Sequence, residues 1–185
     1  MMTRNRKSCC HNVNLNISVQ RKVRIDMNLA EYFREKECDY WREYPHAYGK
    51  LNVFNKSIQI VGADCGSSTL YFLMRGAKYV VQYEKEEHLR KKWEEVCKYF
   101  NICEKATMKK EWKGEYEDVD IFVMDCEGCE EGLNVNMLKK YEQWCIGIHD
   151  WTKNRVELLR KMEETIYTYV SDDGREITLC NLSMK

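Results

Sequence analysis

Several features that would narrow the function at once are missing from this chain of 185 residues. Charge of one sign is missing: Lys plus Arg and Asp plus Glu number 30 each. The overall balance therefore gives no pull toward DNA, RNA or an anionic membrane, and only local basic clusters could reach phosphate. No apolar run approaches the roughly 18 residues of a membrane span. The opening MMTRNRKSCCHN also lacks the apolar segment of a signal peptide. These absences lead us to expect a soluble, cytoplasmic protein with no membrane partner. Proline occurs once, at Pro45, and we find no internal repeat, low-complexity tract or long linker. With 44% hydrophobic residues, the length suits one sizeable core.

Cysteine, by contrast, is abundant, with ten residues. In a mesophile's cytosol they would be free thiols or ligands, whereas intracellular proteins of hyperthermophiles carry disulfides. The sequence leaves both settings open. Only one Cys-x-x-Cys is present, Cys126-Glu127-Gly128-Cys129 within DCEGCEEG. Asp125, Glu127, Glu130 and Glu131 surround it with negative charge, which disfavours the thiolate that a redox centre needs. A structural zinc site needs a second ligand pair, which is missing. The pair's thiols therefore read as bystanders to an acidic loop, with a bridge from Cys65, on what should be a neighbouring strand's loop, to Cys126 or Cys129 as the less favoured alternative.

The order of elements points to an α/β fold. The first fifty residues read as an extension packed on the core. They comprise a basic arm with Arg4, Arg6 and Lys7, a strand with alternating Val13, Leu15, Ile17 and Val19, and a helix from Asn28 to Tyr44 stopped by Pro45. From residue 51 onward a second unit follows. SIQIV (Ser57 to Val61), KYVVQY (Lys78 to Tyr83), ATMKKEW, the apolar Val119 to Met124 and Trp144 to His149 read as strands. Helices are expected over Thr69 to Arg75, Lys85 to Phe100, around Leu133 to Tyr141, and over Asn154 to Glu164. TIYTYV and EITLCNL flank the turn SDDG as an antiparallel hairpin. Parallel strands need crossovers, so this alternation predicts a Rossmann-like, doubly wound, mostly parallel sheet closed by a C-terminal antiparallel hairpin.

In such sheets ligands bind beyond the carboxyl ends of the strands. After the first core strand comes Gly62-Ala63-Asp64-Cys65-Gly66, whose glycines permit a tight turn and close backbone approach. After the second comes Glu84, roughly 20 residues on, the spacing at which an acid meets a ribose diol. Nicotinamide nucleotides call for Gly-x-Gly-x-x-Gly, and here Asp64 and Ser67 replace two of those glycines. The Gly-x-x-x-Gly turn suits S-adenosylmethionine, which has no pyrophosphate. Read without a ligand, the same glycines only shape a turn and Glu84 only begins a helix.

Three segments in order add a family resemblance. IVGADCGSSTLYFLMRGAKYVVQYE resembles the first two strands of a class I methyltransferase. VDIFVMDCEGCEEGL resembles the strand and loop of the FkbM family of S-adenosylmethionine-dependent methyltransferases. CIGIHDWTKNRVELLRKMEE and YVSDDGREITL are similar to that family's next strand, helix and hairpin. The resemblance implies that Gly62, Ala63, Asp64 and Gly66 line the cofactor loop and that Glu84 holds the ribose. It also implies that Asp125, Glu127 and His149 face the methyl group and acceptor, with Asp125 or His149 as the base. It further implies O-methylation of a sugar or another small hydroxyl acceptor. Nucleic acid, through the arm and Arg21-Lys22-Val23-Arg24, is a less favoured acceptor. No metal spacing is recognisable, although the same carboxylates offer oxygen ligands. The chain departs from the family at Ile60, where an acid commonly stands two positions before the first glycine. The region that would hold adenine is also short, with Trp112 there either to stack on a base or to fill the core. A module that keeps the fold without the cofactor, acting by protein association, is the rival reading; a thiol oxidoreductase would rest on the Cys-x-x-Cys alone.

Overall fold

A computed structural model describes residues 28–162 and 165–182. The basic arm, the strand expected over residues 13–19 and the 21–24 cluster lie outside the described residues. The helix expected from Asn28 to Tyr44 is interrupted. Asn28 caps α1 (Leu29–Glu35) by accepting a hydrogen bond from the Glu31 N–H, but Glu37 takes a left-handed φ of 61° and ends it. The chain resumes as the short α2 (Tyr44–Ala47), with Pro45 in its first turn, where its missing N–H has no helical partner to lose.

The strands then follow the expected order. They are β1 (Ser57–Val61), β2 (Tyr79–Tyr83), β3 (Ala106–Lys109), β4 (Ile121–Met124), β5 (Gln143–His149), β6 (Ile166–Val170) and β7 (Glu176–Asn181). Helices α3 (Ser67–Met74) and α4 (Glu87–Tyr99) link the first three, and α5 (Arg155–Lys161) precedes the hairpin. The strands form one seven-stranded sheet in the order β3-β2-β1-β4-β5-β7-β6. Pairing is parallel from β3 through β5, and β7 runs antiparallel to both of its neighbours. The strand order reverses between β1 and β4, which opens a crevice at their carboxyl ends.

Alternation along β4 feeds both faces of the sheet. Ile121 and Val123 pack with Phe33, Tyr48, Phe72, Trp93 and Val96, whereas Phe122 and Met124 pack with Leu138, Tyr141, Ile146 and Leu158. All four side chains of β4 are buried, as expected of a central parallel strand. The second face is thinly roofed, because residues 110–120 form no helix and Val135–Lys140 is a 3-10 turn. A buried glutamine compensates. Gln59 on β1 donates to the Glu115 carbonyl at 2.8 Å and accepts from the Glu117 N–H at 2.8 Å and the Tyr141 hydroxyl at 3.1 Å. Its side chain thereby pins the helix-free crossover over the sheet.

The N-terminal segment is fastened to the loop of residues 62–66 and the helix after it. The Arg75 guanidinium donates to the carbonyls of Tyr48, Gly49 and Leu51, Tyr44 and Ser67 share a hydroxyl hydrogen bond of 2.6 Å, and Cys38 is joined to Cys65. No helix of the described residues is long and apolar enough to cross a membrane.

Candidate functional site

A cleft of about 430 Å³ opens at the carboxyl ends of β1, β2, β4 and β5. On its β1 side the backbone sets the shape. Gly62 has φ +83°, and a Cβ there would overlap the Asp125 carbonyl and lie 2.8 Å from the Cys126 Cα. Only glycine lets the ends of β1 and β4 meet so closely. Gly66, at φ +86°, lies against the ring of Trp93. Glu84 turns back across this loop: one carboxylate oxygen accepts the Asp64 N–H at 2.9 Å, the other the Glu86 N–H at 2.9 Å. Asp64 is itself in the left-handed region, at φ 53°. Burial, reinforced by the charge of Glu84, pushes its carboxyl up to about 7 despite hydrogen bonds from the Cys65 N–H and Ser67.

Side chains dominate the other side. Asp125, just past β4, accepts the Tyr48 hydroxyl at 3.0 Å and lies 3.6 Å from His149 Nε2. Burial raises the Asp125 carboxyl, with Glu130 and Glu127 adding to the effect and His149 and Tyr48 opposing it. His149 ends β5 and is 4% exposed. Its Nδ1 is 3.0 Å from Glu130 Oε1, and its ring stacks on Trp151 at 4.7 Å. Burial alone would lower the imidazole, but the hydrogen bond to Glu130 and the charge of Asp125 outweigh it and raise it. Glu130 is fully buried and also accepts from the Thr152 hydroxyl at 2.5 Å, the Gly128 N–H at 2.7 Å and the His149 N–H at 3.2 Å. Burial works against its charge, yet these bonds hold it down to about 2. Glu176 enters from β7, paired with His149 across the antiparallel ladder. Burial and then the charge of Asp125 push it up to about 7.

Of the residues singled out in the sequence, Gly62, Asp64, Glu84, Asp125, Glu127 and His149 line this one cleft. Ala63 is fully buried behind the loop, its N–H donating to the Tyr83 carbonyl at 3.0 Å, and Gly66 faces Trp93. Glu127 is exposed at the rim, at φ 51°. Ile60 is buried in the core. Trp112 is also core, 8% exposed, with its indole N–H donating to the Glu115 carbonyl at 2.6 Å, although an edge reaches the cleft. The alternative of a bridge from Cys65 to Cys126 or Cys129 is ruled out. Cys65 pairs with Cys38 and Cys126 pairs with Cys129, because α1 brings Cys38 to the loop after β1 while a three-residue separation closes the second pair locally. Cys97–Cys103 and Cys145–Cys180 complete four disulfides among the described residues.

No protein-family model matches the chain. Protein 65 of Sulfolobus islandicus filamentous virus (isolate Iceland/Hveragerdi) is 80% identical over 157 residues, covering 85% of this chain and 99% of that protein. Protein 158B of Sulfolobus islandicus rod-shaped virus 1 is 56% identical over 158 residues, covering 84% of this chain and all of that protein. The chain belongs to the family of these two viral proteins. Both carry the description "uncharacterized", so the family gives no activity of its own.

Solved structures show the fold of this viral family. The O-methyltransferase TomG from Streptomyces achromogenes, in complex with SAM, superposes with a TM-score of 0.59 at 12% identity, covering 83% of this chain and 87% of that one. Aeropyrum pernix fibrillarin, with natively bound S-adenosyl-L-methionine, gives 0.54 at 12% identity, covering 77% and 76%. The expected Rossmann-like methyltransferase fold is thus present.

Sequence reasoning missed two members of the cleft's acidic side. Glu130 was visible in DCEGCEEG only as one of four negative charges. Glu176 reaches the site through the pairing of β7 with β5, for which no local motif exists.

Proposed function

We propose that this protein is an S-adenosylmethionine-dependent methyltransferase acting on a hydroxyl of a sugar or another small acceptor, with an FkbM-like division of labour in the cleft. The observation that carries the reading is the contact of Gly62 with the Asp125 backbone. It brings the loop that would hold a nucleoside and the carboxylate that would meet an acceptor to one opening. The residues fit the cofactor. Two N–H groups use one acceptor site on each Glu84 oxygen, and a carboxylate with about four such sites retains capacity for a ribose diol. A cleft of about 430 Å³ falls within the usual range for small-molecule sites. Gly62, Asp64 and Glu84 would hold the cofactor, their carboxylates complementing its positive charge.

Bound there, S-adenosylmethionine supplies an electrophilic methyl group on a cationic sulfur. The chain's own work is alignment and proton removal. Holding the two reactants in line supplies up to roughly ten kcal/mol of the rate enhancement. Asp125, raised by burial and open to the cleft, accepts the hydroxyl proton. Tyr48 fixes its orientation by a hydrogen bond, His149 stands beside it at 3.6 Å, and Glu130 fixes His149. A carboxylate with a raised pKa is the better base near neutral pH. Glu127 stands at the rim, where an acceptor would enter. The many carboxylates lining the cleft favour a neutral or cationic acceptor over a polyphosphate, which supports a sugar over nucleic acid.

Calorimetric titration with S-adenosylhomocysteine tests the reading. We expect one saturable site per chain with micromolar affinity. Absence of binding would favour instead a module that keeps the fold without the cofactor, the reading that Ile60 supports.

A further inference from the structure

We propose that Asp125, His149 and Glu176 form a binding site for a divalent transition-metal ion. One donor atom from each lies within 4.8 Å of the others, and the three come from the adjoining ends of β4, β5 and β7. Two ligands about 2.1 Å from a shared ion stand at most about 4.2 Å apart. Only a trans pair spans that far, and a cis pair stands about 3.0 Å apart, so side-chain shifts of up to roughly an ångström bring the set, in which His149 Nε2 and Asp125 Oδ1 already stand 3.6 Å apart, to coordination distance.

Three features separate this cluster from an ordinary acidic surface. The first is the histidine. Its ring is nearly buried, with Nδ1 held by Glu130 at 3.0 Å, while Nε2 faces the Asp125 carboxylate at 3.6 Å, outside hydrogen-bonding range. A buried carboxylate on the far nitrogen, leaving the near one directed at the ligand position, is the arrangement that orients metal-binding imidazoles. The second is Gly147. A Cβ at this position would start 3.1 Å from Asp125 Oδ1 and 3.2 Å from Glu176 Oε1, so the missing side chain leaves the two carboxylates room to converge over β5. The third is the outer support. Tyr48 holds the second Asp125 oxygen at 3.0 Å, and Thr178 donates to Glu176 at 3.0 Å.

One imidazole and two carboxylates suit a first-row ion of the manganese or iron type, since imidazole favours transition metals and carboxylates favour harder ions. Three protein ligands leave coordination positions open for water or an acceptor oxygen. At a methyl-transfer centre the ion would hold that oxygen beside Asp125 and favour its ionisation. The binding itself does not depend on methyl transfer, and it is measured without cofactor or acceptor.

The test is titration of the chelator-treated, full-length protein with Mn²⁺, followed by electron paramagnetic resonance. We expect one ion per chain, with nitrogen hyperfine coupling from a single imidazole. Glu176→Gln should weaken binding at least as much as loss of the outer-shell carboxylate in Glu130→Gln, itself about 10- to 100-fold. Glu111→Gln, at the far end of the cleft, should leave it unchanged. The nitrogen signal is read on the unaltered protein, so the proposal does not depend on any variant folding. Three results would each overturn it: no stoichiometric site, an ion without nitrogen coupling, or equal weakening by Glu111→Gln and Glu176→Gln. S-adenosylhomocysteine binding in the same metal-free sample keeps this outcome separate from that of the methyltransferase reading.

Discussion

On the β1–β2 side of the cleft, the polar groups are matched chiefly by backbone: the Asp64 and Glu86 N–H groups meet the Glu84 carboxylate, and glycine at 62 admits the neighbouring strand. On the β4–β5–β7 side, other side chains take a larger part, with the Gly128 and His149 N–H groups joining them on Glu130. Asp125, Glu130 and Glu176 crowd around one histidine, and only Glu130 is fully satisfied. The first arrangement is fixed once the loop closes. The second depends on protonation and on what binds, because two of its carboxyls are raised by burial while a third is held low by its hydrogen bonds.

If that contrast is right, the largest single effect falls on Glu130. Glu130→Ala strips the acceptor from four donors in a region with no solvent to replace it. Breaking a buried charged network in this way costs about 3–5 kcal/mol. Chemical denaturation should show the midpoint falling accordingly, and an unchanged midpoint would mean that the acidic side is not held by Glu130. The matching change on the backbone side is Glu84→Ala, which leaves two N–H groups seeking acceptors. That costs about 1–3 kcal/mol of stability; separately, loss of the charged acceptor for the ribose, worth about 1.5–3 kcal/mol, should lower S-adenosylhomocysteine affinity roughly 10- to 100-fold in calorimetry. Equal affinity after the change would remove Glu84 from the ribose role.

The disulfides extend the comparison. Cys126–Cys129 spans three positions at the rim of the acidic side, whereas Cys145–Cys180 spans 35 and ties β5 to β7. Loop-closure entropy assigns the short bridge about 2 kcal/mol and the long one about 4 kcal/mol. The double replacement Cys126→Ser with Cys129→Ser should therefore lower Tm less than Cys145→Ser with Cys180→Ser. The reverse order would show that the rim loop is held by its disulfide more than by Glu130.

The same contrast explains how much could be read in the sequence. The strands and the order of elements follow from apolar runs and glycine punctuation: β1 lies where its short apolar run put it, and the closing hairpin where β-rich segments flank SDDG. Local rules fail where a tertiary contact decides. Helical spacing continues through Glu37, yet the chain turns left-handed there, and the segment that follows carries Cys38 to Cys65. The Cys38–Cys65 pairing depends on that turn, so it was out of reach of motif spacing. In the site, Gly62, Asp64, Glu84, Asp125 and His149 could be found because each follows a strand that ends at the cleft. Glu130 and Glu176 could not, since their positions depend on a loop that folds inward and on the register of an antiparallel strand.

The smallest expected effect is a pH dependence that distinguishes the two sides directly. Asp64, at about 7 in the folded protein, lies above its ordinary carboxylate value because burial disfavours its charge. Any stability it gives the free protein is present at low pH and lost as pH rises through about 7. Binding of a cationic cofactor runs the other way, since it favours the ionised carboxylate. Cofactor affinity should therefore rise by about tenfold between pH 6 and pH 8, the scale of a single titrating group. Glu176 is also raised to about 7, so the slope alone does not assign the group. Asp64→Asn does. If the β1–β2 side governs cofactor binding, calorimetry on this variant should give an affinity that is weak and flat across the range. A slope that survives the substitution would move the titration to Glu176 and make the acidic side the part of the cleft that senses the cofactor's charge.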